Sequence, residues 1–241
     1  MKIALAQIPS QAARVSVNAA LHRRSIAAAK SQAADWVIFP ELSLSGYEPD
    51  LAQGLAVAAD DPYWDAWQEL ANELNISFAL GMPLRSLDGV LIGQVIFRPQ
   101  QPHQIYGKQY LHPDEETYFV PATGYKNYWP NEAIAPAICY EISIAEHAAA
   151  AAANTAEIYL ASVAKFERGI APAHQNLAGI ARQYGMLSLM VNAIGAADGG
   201  LCTGQSAAWN RQGKLIHQLP ANAAALLIVD TQQESAAEYP I

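Results

Sequence analysis

The chain has 241 residues, of which 52% are apolar and 15% are charged, so it can bury a large core and is too apolar to be disordered. Its formal charge is −8, and the 14 basic residues do not cluster as a grip on nucleic acid requires. No apolar run is long enough to cross a membrane or to act as a signal peptide, and only two cysteines occur. We therefore expect a cytoplasmic protein with reduced thiols that binds neither nucleic acid nor membrane.

Short β-like runs alternate with longer helical runs, a pattern typical of an α/β sandwich. In chain order, the pattern predicts strand 2–7, helix 17–33, strand 36–39, helix 60–74, strands 76–81, 90–98, 104–106 and 133–138, helix 144–154, strand 158–161, helix 173–184, and strands 187–192, 206–209, 214–219 and 223–230. Residues 195–204 are predicted as a Gly-rich loop, and the residues after 231 as a poorly ordered tail. Without a linker or a repeat, residues 1–241 are expected to form a single domain.

Cys139 stands at the end of the predicted strand 133–138, directly before Tyr140, Glu141 and a helix-forming stretch. Backbone N–H groups and a helix N-terminus at such a place favour a thiolate, the form in which sulfur is a nucleophile. The alternative is that Cys139 is a small buried hydrophobic residue, as isolated cysteines often are. Polar partners elsewhere in the chain decide between these interpretations.

Three further polar residues are candidates for such partners. Glu41 and Lys108 each follow a predicted strand, and Glu115 lies seven positions after Lys108. Taken singly, each is explained as a loop residue that reaches water. Open α/β sheets, however, place functional groups where strands end, so these side chains can converge on one cleft.

A thiol, a carboxylate and an ammonium group in one cleft suit acyl transfer. The sulfur of Cys139 would attack a carbonyl or nitrile carbon. Glu41 would take the thiol proton and later protonate the leaving nitrogen. Lys108 and the backbone N–H of Tyr140 would stabilise the developing oxyanion.

The segments around these residues resemble the nitrilase superfamily, the carbon–nitrogen hydrolases, and they occur in the family's order along nearly the whole chain. The matching segments are residues 39–47 (FPELSLSGY), 106–115 (YGKQYLHPDE), 137–141 (AICYE), 192–195 and 204–206. The resemblance implies a four-layer αββα sandwich and a catalytic triad of Glu41, Lys108 and Cys139. It also implies that Glu115 orients the site, and that copies pair through helices into a homodimer or larger homo-oligomer.

The chain departs from the family near the expected pocket. Gly107 stands where Arg or another larger residue often precedes the Lys, and Lys165 follows a strand after which many members carry a Pro. The resemblance therefore does not identify the substrate. Lys165 could pair with a substrate carboxylate or be a solvated loop lysine. The substrate-binding candidates are Tyr47, Tyr140, Glu141, Lys165 and Phe166, with Trp129 as a further candidate.

We expect a hydrolase of non-peptide C–N bonds, a small-molecule amidase that forms a thioester on Cys139. A nitrilase or an N-carbamoyl amide hydrolase with the same triad, and a non-catalytic binding protein on the same fold, are alternatives. A Cys–His hydrolase would leave Glu41 and Lys108 without a role, and none of the six histidines lies in a partner motif. No cofactor is expected, because the chain lacks the spacings of a metal site and residues 195–204 lack a phosphate-loop pattern.

Overall fold

The computed structural model describes residues 1–124 and 128–241, and within them the chain forms strands that assemble into two large sheets. The strands are β1 (Lys2–Gln7), β2 (Trp36–Ile38), β3 (Val57–Ala58), β4 (Ser77–Arg85), β5 (Val90–Arg98), β6 (Gln101–Gly107), β7 (Ile134–Ile138), β8 (Ile158–Val163), β9 (Leu187–Asn192), β10 (Ile194–Ala197), β11 (Gly200–Thr203), β12 (Ala207–Trp209), β13 (Leu215–Gln218), β14 (Ala225–Asp230) and β15 (Ser235–Pro240).

The helices flank these sheets. They are α1 (Val15–Ser31), α2 (Ala52–Leu55), α3 (Asp65–Leu74), α4 (Ala145–Ala153) and α5 (Glu167–Tyr184), with short 3-10 helices at Pro49–Leu51, Pro62–Trp64 and Cys139–Ser143. The predicted helix 60–74 is thus a 3-10 turn followed by α3. The side chain of Asp61 caps this turn by accepting a hydrogen bond from the N–H of Tyr63 at 2.8 Å.

The first sheet has the strand order β15-β14-β1-β2-β4-β5-β6, with β3 paired to β4. Its centre is parallel, because β1, β2 and β4 are joined by helical crossovers, and its edges are antiparallel. The second sheet has the order β13-β12-β9-β8-β7, in which β7, β8 and β9 are parallel. The parallel strands bring functional loops to one edge of each sheet.

The two sheets pack face to face. Along β1, Ile3 and Leu5 face the second sheet whereas Ala4 faces the helices, because neighbouring strand residues point to opposite sides. Helices α1 and α3 cover the outer face of the first sheet, and α4 and α5 cover that of the second. One buried hydrogen bond, from Gln94 Nε2 to Ser162 Oγ at 2.9 Å, links β5 to β8 between the sheets. These layers form the predicted αββα sandwich, so that prediction is confirmed.

Two segments that the sequence predicts to be irregular form strands in the structure. Residues 195–204 form the hairpin of β10 and β11, whose turn places Asp198 and Gly199 at φ of +43° and +67°. An Asp-Gly pair with both φ values positive is the signature of a tight hairpin turn, which explains the glycines there. The predicted tail forms β15, which pairs with β14 along its whole length.

Helix α5 begins at Glu167 rather than at residue 173, and Pro172 lies inside it. Its end at Gly185, with φ of +68°, is as predicted. None of the helices in the described part of the chain is long and apolar enough to cross a membrane.

Candidate active site

Three strand ends from the two sheets meet at one place. Glu41 follows β2 and Lys108 follows β6, both in the first sheet, whereas Cys139 follows β7 in the second. The carboxylate of Glu41 and the ammonium group of Lys108 are buried, and Cys139 is half-buried. The site therefore lies between the edges of the packed sheets.

Lys108 lies between two carboxylates. Its Nζ donates hydrogen bonds to Oε1 of Glu41 at 2.8 Å and to Oε1 of Glu115 at 2.6 Å. Burial alone lowers the pKa of Lys108, but the charges of the neighbouring acidic groups, first of all Glu41 and also Glu115, outweigh it and raise that pKa above its usual value. The group stays an ammonium ion, and because it has three N–H donors, one remains for a ligand.

Glu115 fixes the segment between Lys108 and itself. Its Oε1 also accepts the hydroxyl hydrogen of Tyr47 at 2.8 Å, and its Oε2 accepts the backbone N–H of His112 at 2.7 Å. Burial and the nearby carboxylates raise the pKa of Tyr47, so its phenol stays a neutral donor. The sequence predicted Glu115 as the orienting carboxylate, and these hydrogen bonds are consistent with that role.

Glu41 carries the free acceptor of the site. Burial raises the pKa of its carboxyl group, and the charge of Lys108 acts in the opposite direction. Its Oε2 is buried and has no hydrogen-bond partner among the described residues. Hydrogen bonding between the Cys139 thiol and the Glu41 carboxyl group also lowers the pKa of Glu41.

Cys139 occupies a strained backbone conformation. Its φ is +44°, a left-handed value that costs a non-glycine residue about 1–2 kcal/mol, and it begins the 3-10 helix Cys139–Ser143. Burial and the charge of Glu41 raise the pKa of the thiol to about 11, against the charges of Lys165 and Lys108. This direction is opposite to the thiolate expected from the sequence: burial and the carboxylate of Glu41 favour the neutral thiol, so its proton needs a base before the sulfur can attack.

Glu141 lies behind Cys139 rather than in the pocket. Its Oε2 accepts the backbone N–H of Ile138 and the hydroxyl hydrogen of Tyr106, both at 2.7 Å, and its Oε1 accepts the N–H of Gln109 at 2.6 Å. The side chain is fully buried, and burial raises its pKa to about 7 despite these hydrogen bonds. This placement contradicts the substrate contact predicted for Glu141.

Trp129 also lies away from the pocket. It stacks on Trp36 with ring centroids 5.3 Å apart and is part of the core between the sheets. The prediction of a pocket position for Trp129 is therefore wrong.

A cavity of about 170 Å³ opens above Cys139. Of the residues predicted for the site, it is lined by Tyr47, Glu115, Cys139, Tyr140, Lys165 and Phe166. The sequence did not identify four other ionisable residues that also line it, His112, Asp114, Arg168 and Asp198. Arg168 was missed because α5 begins earlier than predicted, and Asp198 because its hairpin was taken for a loop. Among the described residues, no group of three or more His, Cys, Asp or Glu side chains is arranged to hold a metal ion.

The carbon–nitrogen hydrolase family model matches residues 2–241. The chain therefore belongs to the carbon–nitrogen hydrolase family, and the resemblance to the nitrilase superfamily is confirmed. It is 26% identical over 206 residues to an (R)-stereoselective amidase from Pseudomonas sp., an alignment that covers 83% of this chain and 74% of that protein.

Two solved structures of an amidase from Nesterenkonia sp. AN1 share the fold. A mutant with the acetamide moiety of fluoroacetamide covalently added at the active site cysteine aligns with a TM-score of 0.83 and 24% identity, covering 95% of this chain and 89% of that chain. A mutant in complex with butyramide aligns with a TM-score of 0.82 and 23% identity, covering 95% and 90%. At this level of identity the likeness establishes the αββα architecture alone.

Proposed function

We propose that this carbon–nitrogen hydrolase is a small-molecule amidase in which Glu41, Lys108 and Cys139 form the catalytic triad and Glu115 orients it. The observation that carries the proposal is the buried Glu41–Lys108–Glu115 cluster next to the Cys139 thiol. Burying three ionisable groups is expensive unless they are paired, and one excess carboxylate persists here beside a nucleophile. Buried groups with shifted pKa values in a cleft are typical of catalytic sites.

In the first half-reaction, Glu41 takes the thiol proton while Sγ of Cys139 attacks the amide carbonyl carbon. The raised pKa of the thiol makes this proton transfer necessary, and the free Oε2 of Glu41 is available to accept it. The carbonyl oxygen becomes an oxyanion, stabilised by the third N–H of Lys108 and the backbone N–H of Tyr140. The protonated Glu41 then gives its proton to the nitrogen, the C–N bond breaks, and ammonia leaves a thioester on Cys139.

In the second half-reaction, water attacks the thioester carbon and Glu41 takes a proton from it. The C–S bond breaks, the carboxylic acid leaves, and the proton returns to the sulfur. The two halves consume one water and release one acid and one ammonia. The amidase relatives support this proposal, because one carries a covalent adduct at its active site cysteine and another structure holds butyramide.

The proposal extends to the whole chain. We propose that residues 1–241 form one domain, that the protein works in the cytoplasm, and that it assembles as a homodimer or larger homo-oligomer through its helices. The exposed surface between α4 and α5 forms a cavity of about 250 Å³ that such a contact could fill. Light scattering of the purified protein measures the oligomeric state directly.

An ammonia-release screen over aliphatic amides, nitriles and ureido acids tests the activity. We expect amides to be hydrolysed, Cys139→Ala to abolish turnover while the circular dichroism spectrum is unchanged, and Cys202→Ala to retain activity. Mass spectrometry of the quenched reaction should find an acyl increment on Cys139. If ammonia were released from nitriles or ureido acids but not from amides, the substrate class would have to be reassigned. Turnover by Cys139→Ala would exclude the mechanism.

A further inference from the structure

Lys165 is a half-buried cation in the pocket that contains Cys139. Within residues 1–124 and 128–241, no carboxylate lies within ion-pair distance of its ammonium group. Lys108, by contrast, is paired with both Glu41 and Glu115. Partly desolvating an unpaired charge is unfavourable unless a ligand offsets it.

The backbone of Lys165 is held by one buried side chain. Asn192, which is fully buried, accepts the N–H of Lys165 on Oδ1 at 2.7 Å and donates from Nδ2 to its carbonyl at 3.0 Å. The same Nδ2 also donates to the carbonyl of Gly204 at 2.8 Å. This arrangement fixes where the Lys165 side chain enters the pocket, between β8 and the first turn of α5.

The pocket contains two cations, Lys165 and Arg168, and the carboxylates of Asp114, Glu115 and Asp198. Lys165 and Cys139 line it together, and the charge of Lys165 lowers the pKa of the Cys139 thiol against burial and Glu41, which raise it. Burial and the charges of Asp114 and Asp50 raise the pKa of Asp198, which means that these carboxylates lie close together. Since Lys108 is paired with Glu41 and Glu115, Lys165 is the half-buried cation that a substrate anion in this pocket would meet, and the carboxylates around Asp198 would repel that anion.

We propose that Lys165 binds a carboxylate on the acyl group of the substrate, which makes the substrate a short monoamide of a dicarboxylic acid. This inference rests on the proposed amidase function. A carboxylate and an ammonium group form a charge-assisted hydrogen bond. Lys165 and Cys139 line the same cavity of about 170 Å³, so a short acyl chain such as that of succinamate would bring its carboxylate to Lys165 while its amide carbon lies at the sulfur.

The test compares succinamate with succinamide, a neutral amide of nearly the same shape. For the native enzyme we expect a higher kcat/KM with succinamate. Lys165→Met should lower kcat/KM for succinamate by about 10- to 100-fold, mostly through KM, because the hydrogen bond between two charged groups is lost. For succinamide, which has no carboxylate, kcat/KM should fall far less. Lys165→Arg should recover part of the succinamate activity. Lys214→Met, which changes an exposed turn lysine, is the matched control and should leave both rates unchanged.

The outcomes separate this inference from the function on which it rests. Equal losses for both amides in Lys165→Met, or a native preference for succinamide, would overturn the carboxylate subsite while leaving the amidase intact. If neither amide were hydrolysed but butyramide formed an acyl-enzyme on Cys139, the amidase would again stand and the subsite would fail. If no amide acylated Cys139, the proposed function would fail and the subsite with it.

Discussion

The carboxylate of Glu141 accepts the backbone N–H of Gln109 at 2.6 Å. Glu141 belongs to the turn that begins with Cys139, and Gln109 is the neighbour of Lys108 in the chain. One side chain thus joins the segment that carries Cys139 to the segment that carries Lys108, although they come from different sheets. The distance between sulfur and ammonium is held by a residue that does not face the pocket.

Replacing Glu141 by Gln should destabilise the protein and lower kcat. Oε2 accepts the N–H of Ile138 and the hydroxyl hydrogen of Tyr106, and Oε1 accepts the N–H of Gln109 and, at 3.4 Å, that of Tyr110. Either orientation of the amide places its NH₂ against a backbone N–H, which costs about 3 kcal/mol. Urea denaturation and steady-state kinetics measure both effects. Glu146→Gln, in the exposed first turn of α4, is the control. A fully active, equally stable Glu141→Gln would contradict this positioning role.

Lys108→Met should remove the oxyanion donor while keeping the length of the side chain. We expect kcat to fall by a factor of 10² or more, about 3 kcal/mol of transition-state stabilisation. The substitution also leaves Glu41 and Glu115 buried without their cation, so the free energy of unfolding should fall by about 3–5 kcal/mol. Stopped ammonia assays and thermal melts test the two effects, with Lys214→Met as the comparison. Retention of kcat would remove Lys108 from the mechanism.

Gly200→Ala should perturb the pocket through Phe166. A Cβ on Gly200 would lie 2.8 Å from Cζ of the Phe166 ring, so the ring must move. Because Phe166 lines the cavity, we expect KM to change more than kcat, with a loss of about 1–3 kcal/mol in stability from overpacking. Gly54→Ala, where an added Cβ would meet nothing outside its own helix within 4 Å, is the control and should leave KM unchanged without destabilising the protein. An unchanged KM in Gly200→Ala would mean that the ring does not contact the substrate.

His22 should make the protein less stable in mild acid. The ring is fully buried between the Asn18 carbonyl and the Ser43 hydroxyl, and burial lowers its pKa from 6.5 to about 4. The His22 ring of the unfolded chain therefore binds a proton below pH 6.5, whereas that of the folded protein binds one only below about pH 4. The free energy of unfolding is unaffected by His22 above pH 6.5 and decreases as the pH falls from 6.5 towards 4, by about 2 kcal/mol at pH 5.

Urea titrations of the native protein and of His22→Gln at pH 7.5 and pH 5 test this assignment. The native protein should lose about 2 kcal/mol more than the variant between the two values. Equal losses would show that another group causes the acid sensitivity.

The positions of the polar residues could be predicted from the sequence, but their surroundings could not. Glu41, Lys108 and Cys139 were identified because strand ends can be recognised locally, and parallel strands bring those ends together. Whether a side chain then faces the pocket or the interior depends on packing between sheets, which is why Glu141 was misplaced. The protonated state of the Cys139 thiol depends on burial in the same way. The Asp198–Gly199 pair, by contrast, is a hairpin signal that the sequence itself contains, although residues 195–204 were predicted as a loop.

The separation of the site between two sheets has a consequence for how the rate can be tuned. Neither layer alone contains a working set of groups, because one supplies Glu41 and Lys108 and the other supplies Cys139. In the proposed mechanism, the hydrolytic rate therefore depends on how the two sheets are aligned with each other. The same mechanism predicts that a substitution at the hydrogen bond from Gln94 to Ser162 changes kcat through this alignment, although neither residue belongs to the proposed triad.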